Sequence, residues 1–358
     1  MKKIVLLQLL VVALLVSCTY AGKDPDQAVM KAYELRMDGK VDAAKVMLDS
    51  ILLAHPQNAM AHYEKARVLS YMMNASKEVK IGDVLESVNL AIDNDPGNVS
   101  YVYFKAVMSF LDAYISMQMS QGEIPEKVKA ACEEFENVLK LKPDYYDARL
   151  YLVDIYGLLP PEMGGDSAKA AEYADLLEDA NTYYGAKARS ILSPEDMDYV
   201  KFWEELMAKN NQDPRYMMEA GKACLYAEEP DRAAEYFAQA MELDPAYNIL
   251  LLDMMRYYLY SVMGSQDQKE TALPLAKKYG EKYLASQPDP IVPLKAYTIG
   301  WISRFEKFLG NEEASQQMTE KAKALDPYFS RATGLPSMLD FIPPDEVCYC
   351  YMTFFGPF

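Results

Sequence analysis

A small residue followed twelve positions later by a proline recurs along this chain: Ala44 to Pro56, Ala131 to Pro143, Ala233 to Pro245 and Ala276 to Pro288. Ser315 to Pro327 repeats the offset with serine, and Val84 to Pro96 repeats it with a larger residue. Proline cannot continue a helix, and it biases the residue before it away from the helical region. A small residue lets two helices approach closely. Six occurrences of one offset therefore specify six helical hairpins that share a stopping rule. The clearest copy is PRYMMEAGKACLYAEEPDRAAEYFAQAMELDPAY, residues 214–247. Gly221 and Cys224 share a face of its first helix. Ala233, Phe237 and Ala240 share a face of its second, and Asp244-Pro245 ends it.

The unit is about 34 residues long and carries a small residue, an A-x3-F pair and a closing proline. It resembles the tetratricopeptide repeat (TPR). In the first copy, from Asp24, Ala44 and Leu48 take the A-x3-F places and Pro56 closes. Ala131, Phe135 and Pro143 do so in a later copy. The fold class expected is all-α, a TPR-like α-solenoid superhelix of about six to seven hairpins. Its inter-helix loops are irregular, with insertions at Asn74 to Gly82, Ser116 to Pro125 and Gly264 to Thr271, and its C-terminal tail is not a repeat. Residues 24–192 form an N-terminal set of repeats, 193–334 a C-terminal set and 335–358 an aromatic tail. Between Pro143 and Pro245 the sequence predicts a divergent hairpin, Tyr146 to Tyr156 with Asp166 to Tyr183. A further helix is predicted near Glu195 to Lys209, with Ser193 as cap and Pro194 at its start.

The N-terminus predicts an address. Lys2 and Lys3 precede an apolar run, Ile4 to Val16, in the manner of a secretory signal. The run ends Leu15-Val16-Ser17-Cys18, which resembles a bacterial lipobox. That resemblance implies a signal peptide over 1–17, lipid on Cys18, a tether over 18–23, and a site in the envelope, on the outer membrane facing the periplasm. A net charge of −17 excludes nucleic acid, whose phosphates need Lys and Arg.

No chemistry stands out. The two histidines, His55 and His62, are separated by Pro56, so no shared metal-binding face or Ser-His-Asp set is expected. No cofactor is expected. Cys132 and Cys224 read as buried small apolar residues, while Cys348 and Cys350 lie in a period-two aromatic segment. Pro160-Pro161-Glu162-Met163-Gly164-Gly165 reads as a rigid turn with Asp166 capping the next helix. A similar P-x-x-x-G-G segment occurs in some TPR lipoproteins of tripartite transporters.

The TPR resemblance implies a non-enzymatic scaffold that binds a peptide or an envelope protein. The alternative is a small-molecule-binding accessory lipoprotein of a solute transporter. First helices line the concave side in this family. By that resemblance the partner-binding residues are Tyr63, Tyr101, Tyr103, Arg149, Arg215, Tyr216, Tyr257 and Tyr297, drawn from a chain with 28 tyrosines. The tail is expected to cap the last hairpin, or else to be a docking peptide or to lie in the groove as an occluding strand.

Overall fold

The structure, a computed structural model, describes residues 24–73, 75, 78–120, 122–194, 196–264, 269–332, 339 and 341–347. Cys18 and the lipobox, Cys348, Cys350 and the aromatic end of the tail lie outside the described residues. The chain divides into two compact units. Of the described residues, 24–192 with 332, 339 and 341–347 fall in unit 1, and 193–331 fall in unit 2.

Unit 1 holds α1 (Pro25–Met37), α2 (Val41–Ala54), α3 (Ala59–Met73), α4 (Ile81–Asn94), α5 (Val99–Met119), α6 (Ile124–Leu141), α7 (Tyr146–Leu158), α8 (Ser167–Ala180) and α9 (Thr182–Leu192). Consecutive pairs from α1 to α8 form four hairpins, and α9 packs on α7 and α8. From α3 on, the first helices of the unit 1 pairs bury more residues than the second helices. In α6 the buried residues are Val128, Ala131, Cys132, Phe135 and Val138, a single stripe on one face. In α7 every residue from Asp147 to Tyr156 except Arg149 is buried. A first helix packs against its own partner and against neighbouring pairs, so its apolar residues run all the way round. A second helix needs only one apolar stripe.

Local chemistry ends several of the helices where the sequence placed the ends. Gly39 turns the chain at φ +74°. Asn98 and Asp166 cap α5 and α8 with their side chains. The glycine pair before Asp166 is required. Gly164 has φ +99°, and a Cβ on Gly165 would stand 1.7 Å from the Leu159 carbonyl oxygen. Ala44 and Ala131 are fully buried, as their place in the repeat requires.

Unit 2 holds α10 (Tyr199–Lys209), α11 (Pro214–Tyr226), α12 (Pro230–Leu243), α13 (Leu250–Gly264), α14 (Lys269–Leu284), α15 (Val292–Phe308) and α16 (Glu312–Leu325). The pairs α11–α12, α13–α14 and α15–α16 form hairpins, and α10 packs on α11. Ala233, Phe237, Ala240 and Ala276 are buried. A Cβ on Gly221 would meet Phe237 Cε1 at 2.3 Å, so glycine here is the space into which the ring fits. Where serine replaces alanine at 315, the buried hydroxyl is satisfied. Ser303 Oγ lies 3.3 Å from Ser315 Oγ and donates to the Ser315 carbonyl at 2.8 Å. Pro56, Pro143, Pro245, Pro288 and Pro327 each stand just beyond the end of a second helix.

Three expectations need correction. The segment Asp166 to Tyr183 is not one helix. It breaks at Asn181, whose side chain accepts from the Tyr183 and Tyr184 amides at 3.1 and 3.2 Å and so starts α9. The next helix begins at Tyr199 rather than at Pro194, because Asp198 supplies the cap and accepts from Lys201 N at 2.9 Å. The insertion at Ser116 to Pro125 is mostly helix, with α5 running on to Met119 and α6 starting at Ile124.

Candidate functional site

The candidate site lies in unit 1, on a face shared by its first helices. Tyr33 and Arg67 are 34 residues apart and hold the same place in α1 and α3, one repeat after the other. Ser100 stands in the first turn of α5. All three donate to main-chain oxygens of one non-helical segment, the described part of the tail. Tyr33 Oη donates to the Phe341 carbonyl at 2.6 Å, Arg67 Nη2 to that of Ile342, and Ser100 Oγ to that of Glu346 at 3.3 Å. Between these points the tail closes a turn, with Glu346 N donating to the Pro343 carbonyl at 3.1 Å. Leu339 is 1% exposed and Pro344 is buried, while Asp345 and Glu346 are exposed. The backbone of the described tail residues thus accepts side-chain bonds from α1, α3 and α5.

Beneath the segment lies an ionic cluster. Arg36 holds Glu64 with two bonds, Nε to Oε1 at 2.8 Å and Nη2 to Oε2 at 3.3 Å. Arg67 Nη1 stands 3.5 Å from Glu64 Oε2. All three side chains are fully buried. Two buried cations share the Glu64 carboxylate in a dry setting, where a charge that loses its partner is costly. Aromatic faces offset part of that cost. Arg36 lies 5.5 Å from the centre of the Tyr33 ring and 5.8 Å from that of Tyr71. Arg67 lies 5.2 Å from Tyr63 and 5.6 Å from Tyr33. Nε and Nη1 of Arg67 have no hydrogen-bond acceptor. Burial raises the Tyr33 phenol above its ordinary pKa, against the opposing pull of Arg67 and Arg36, so the group keeps its proton and acts as a donor.

The residues expected from sequence are mostly core. Tyr63, Tyr101, Tyr103, Tyr216 and Tyr297 are at most 3% exposed. Tyr63 packs on Tyr101 with ring centres 4.6 Å apart, and Tyr103 packs on Tyr145 at 4.6 Å. Burial pushes the Tyr101 and Tyr103 phenols above the ordinary range. Arg149 and Arg215 are spent on local backbone and caps. Arg149 donates to the Pro143 carbonyl at 2.7 Å, and Arg215 grips Asp213, the cap of its own helix. Tyr257 is half-buried beside Tyr258. Of the eight, Tyr63 and Tyr101 belong to the neighbourhood of the tail-bearing face, and Tyr63 does so as the floor under Arg67. Sequence reasoning missed Tyr33, Arg36, Glu64, Arg67 and Ser100. The available signal was the 34-residue spacing that gives Tyr33 and Arg67 the same place in successive first helices.

Cys132 and Cys224 are buried, and burial pushes their thiols up to about 12 and about 11. His62 Nε2 lies 2.8 Å from the Pro56 carbonyl oxygen. Among the described residues no group of His, Cys, Asp and Glu could hold a metal ion. No described helix is long and apolar enough to cross a membrane.

These features define an all-α, TPR-like repeat protein. No protein-family model and no curated protein matches the chain. Solved structures do resemble it at low identity. MamA is 19% identical, with 60% of this chain and 94% of that chain covered, at a TM-score of 0.31. A tetratricopeptide repeat protein from Parabacteroides merdae is 13% identical, with 84% and 93% covered, at 0.34. YrrB, described as a TPR protein with an unusual peptide-binding site, is 13% identical, with 78% and 92% covered, at 0.24. At these scores the likeness carries no argument about a site, and the reading of the face rests on the chain's own geometry.

Proposed function

We propose that this chain is a non-enzymatic scaffold, held to the outer membrane of a bacterial envelope by lipid on Cys18, that grips a segment of a partner protein against its first-helix face. One observation carries the reading. Side chains from three successive first helices donate to the main-chain carbonyls of a non-helical segment. Donors aimed at backbone oxygens hold a chain whatever its side chains, and neighbouring pockets then select among sequences. The fully buried Arg67 is the anchor expected to dominate, since desolvated arginines do so in many interfaces.

The test of the scaffold is affinity enrichment from detergent-solubilised envelopes with the wild-type chain and with Tyr33→Phe/Arg67→Met. One or two envelope proteins should be enriched by the wild type and lost with the variant. Recovery of the same proteins by both, or of none above the blank, refutes the reading. The anchor is tested separately: labelled palmitate should enter the wild type and not Cys18→Ser. Label persisting in the variant removes the anchor.

A further inference from the structure

We infer that residues 341–346 are a displaceable cover on the recognition face of unit 1, so that an external segment binding there must first compete with the chain's own tail. The inference rests on the scaffold reading and adds the regulation of the same face.

Three features separate a cover from a structural cap. A cap closes the open end of a repeat array. This segment instead crosses the shared face of three successive first helices, bonded at Tyr33, Arg67 and Ser100. Each of these bonds goes to a main-chain oxygen, which any other chain can present equally well. Pro343 and Pro344 have no N–H to offer, and a face that only donates asks for none. Finally, the tail satisfies Arg67 incompletely. One carbonyl takes Nη2, while Nε and Nη1 stay without acceptors. A single carbonyl is a weaker partner for guanidinium than a forked, two-bond one.

The segment's hold comes from buried Leu339 and Pro344 and from being tethered. Tethering gives an effective concentration of about 1 mM, so a segment whose free affinity is about 30 μM weakens external binding roughly 30-fold.

The probe is a fluorescein-labelled synthetic peptide with the sequence of residues 339–347, read by fluorescence anisotropy against the full chain. In Leu339→Asp/Pro344→Asp the cover is released, and the probe should bind roughly 30-fold more tightly than to the wild type. Adding Tyr33→Phe/Arg67→Met to that variant should remove the gain, which locates the probe on this face. Pro344→Asp alone is measured in parallel as a milder release. Equal probe affinity for the wild type and both tail variants overturns the proposal. So does loss of unit 1 helicity in both, which makes the segment part of the fold. Tighter probe binding with no envelope partner supports the cover and refutes only the scaffold. Equal probe affinity with a groove-dependent envelope partner refutes only the cover.

Discussion

Replacing Glu64 by glutamine isolates the ionic cluster under the tail. The change keeps shape and removes one negative charge, so two fully buried arginines lose their shared anion. Breaking a buried ion pair from one side costs about 3–5 kcal/mol, because the remaining charge is left unpaired in the interior. The Tyr33, Tyr63 and Tyr71 faces, at 5.2 to 5.8 Å, are present in both forms and recover little of that, so the low end of the range applies. A net loss near 3 kcal/mol is therefore expected, which at a slope of about 2 kcal/mol/M moves the urea midpoint by about 1.5 M. Arg67→Met is the comparison. It removes one of the two cations and keeps the Arg36–Glu64 fork, so it should cost about 1 kcal/mol, the value of its bond to Ile342. The assay separates the units. Both tryptophans, Trp203 and Trp301, lie in unit 2, whereas far-ultraviolet circular dichroism reads the helices of both. The shift should appear in the dichroism and be absent from tryptophan fluorescence. Equal losses for Glu64→Gln and Arg67→Met would refute the role of Glu64 as the anion both arginines share.

Gly221→Ala places a methyl group 2.3 Å from the Phe237 ring. Overpacking of about 1–3 kcal/mol outweighs a helix-propensity gain of about 1 kcal/mol, so the melting temperature of unit 2 should fall, read by tryptophan fluorescence. Asp147 gives a pH dependence in unit 1. Burial raises its carboxyl to about 6, although Tyr184 donates to both its oxygens at 3.2 Å. A folded-state pKa above the unfolded value means stability is fully present below about pH 4 and lost as pH rises through about 6, by up to about 3 kcal/mol. Asp147→Asn should flatten that part of the stability profile, and a profile matching the wild type would refute the assignment.

The repeats were legible because their determinants are local. A proline stops a helix, a glycine admits a facing ring, and an aspartate caps the next turn, all within a few residues. Gly221 against Phe237 and the Gly164-Gly165 connection stand as the sequence implied, for steric reasons that need no distant partner. The break at Asn181 was also written locally, as an asparagine that caps the following turn, but it lay inside a run of good helix formers and was read through. The tyrosines were different. Type and helix face put Tyr63, Tyr101 and Tyr103 on a first helix, yet only the stacking of one hairpin on the next turned them into core. Burial is a property of what packs against a residue from far along the chain. The same holds for the tail. Tyr33 and Phe341 are 308 residues apart, and nothing periodic links them. The sequence by itself determined the helical hairpins and their ends, through backbone sterics and close approach. The tertiary structure alone decided that Arg67 is buried with an incomplete set of partners and that a distant carbonyl meets it, because both depend on which surfaces exclude water together.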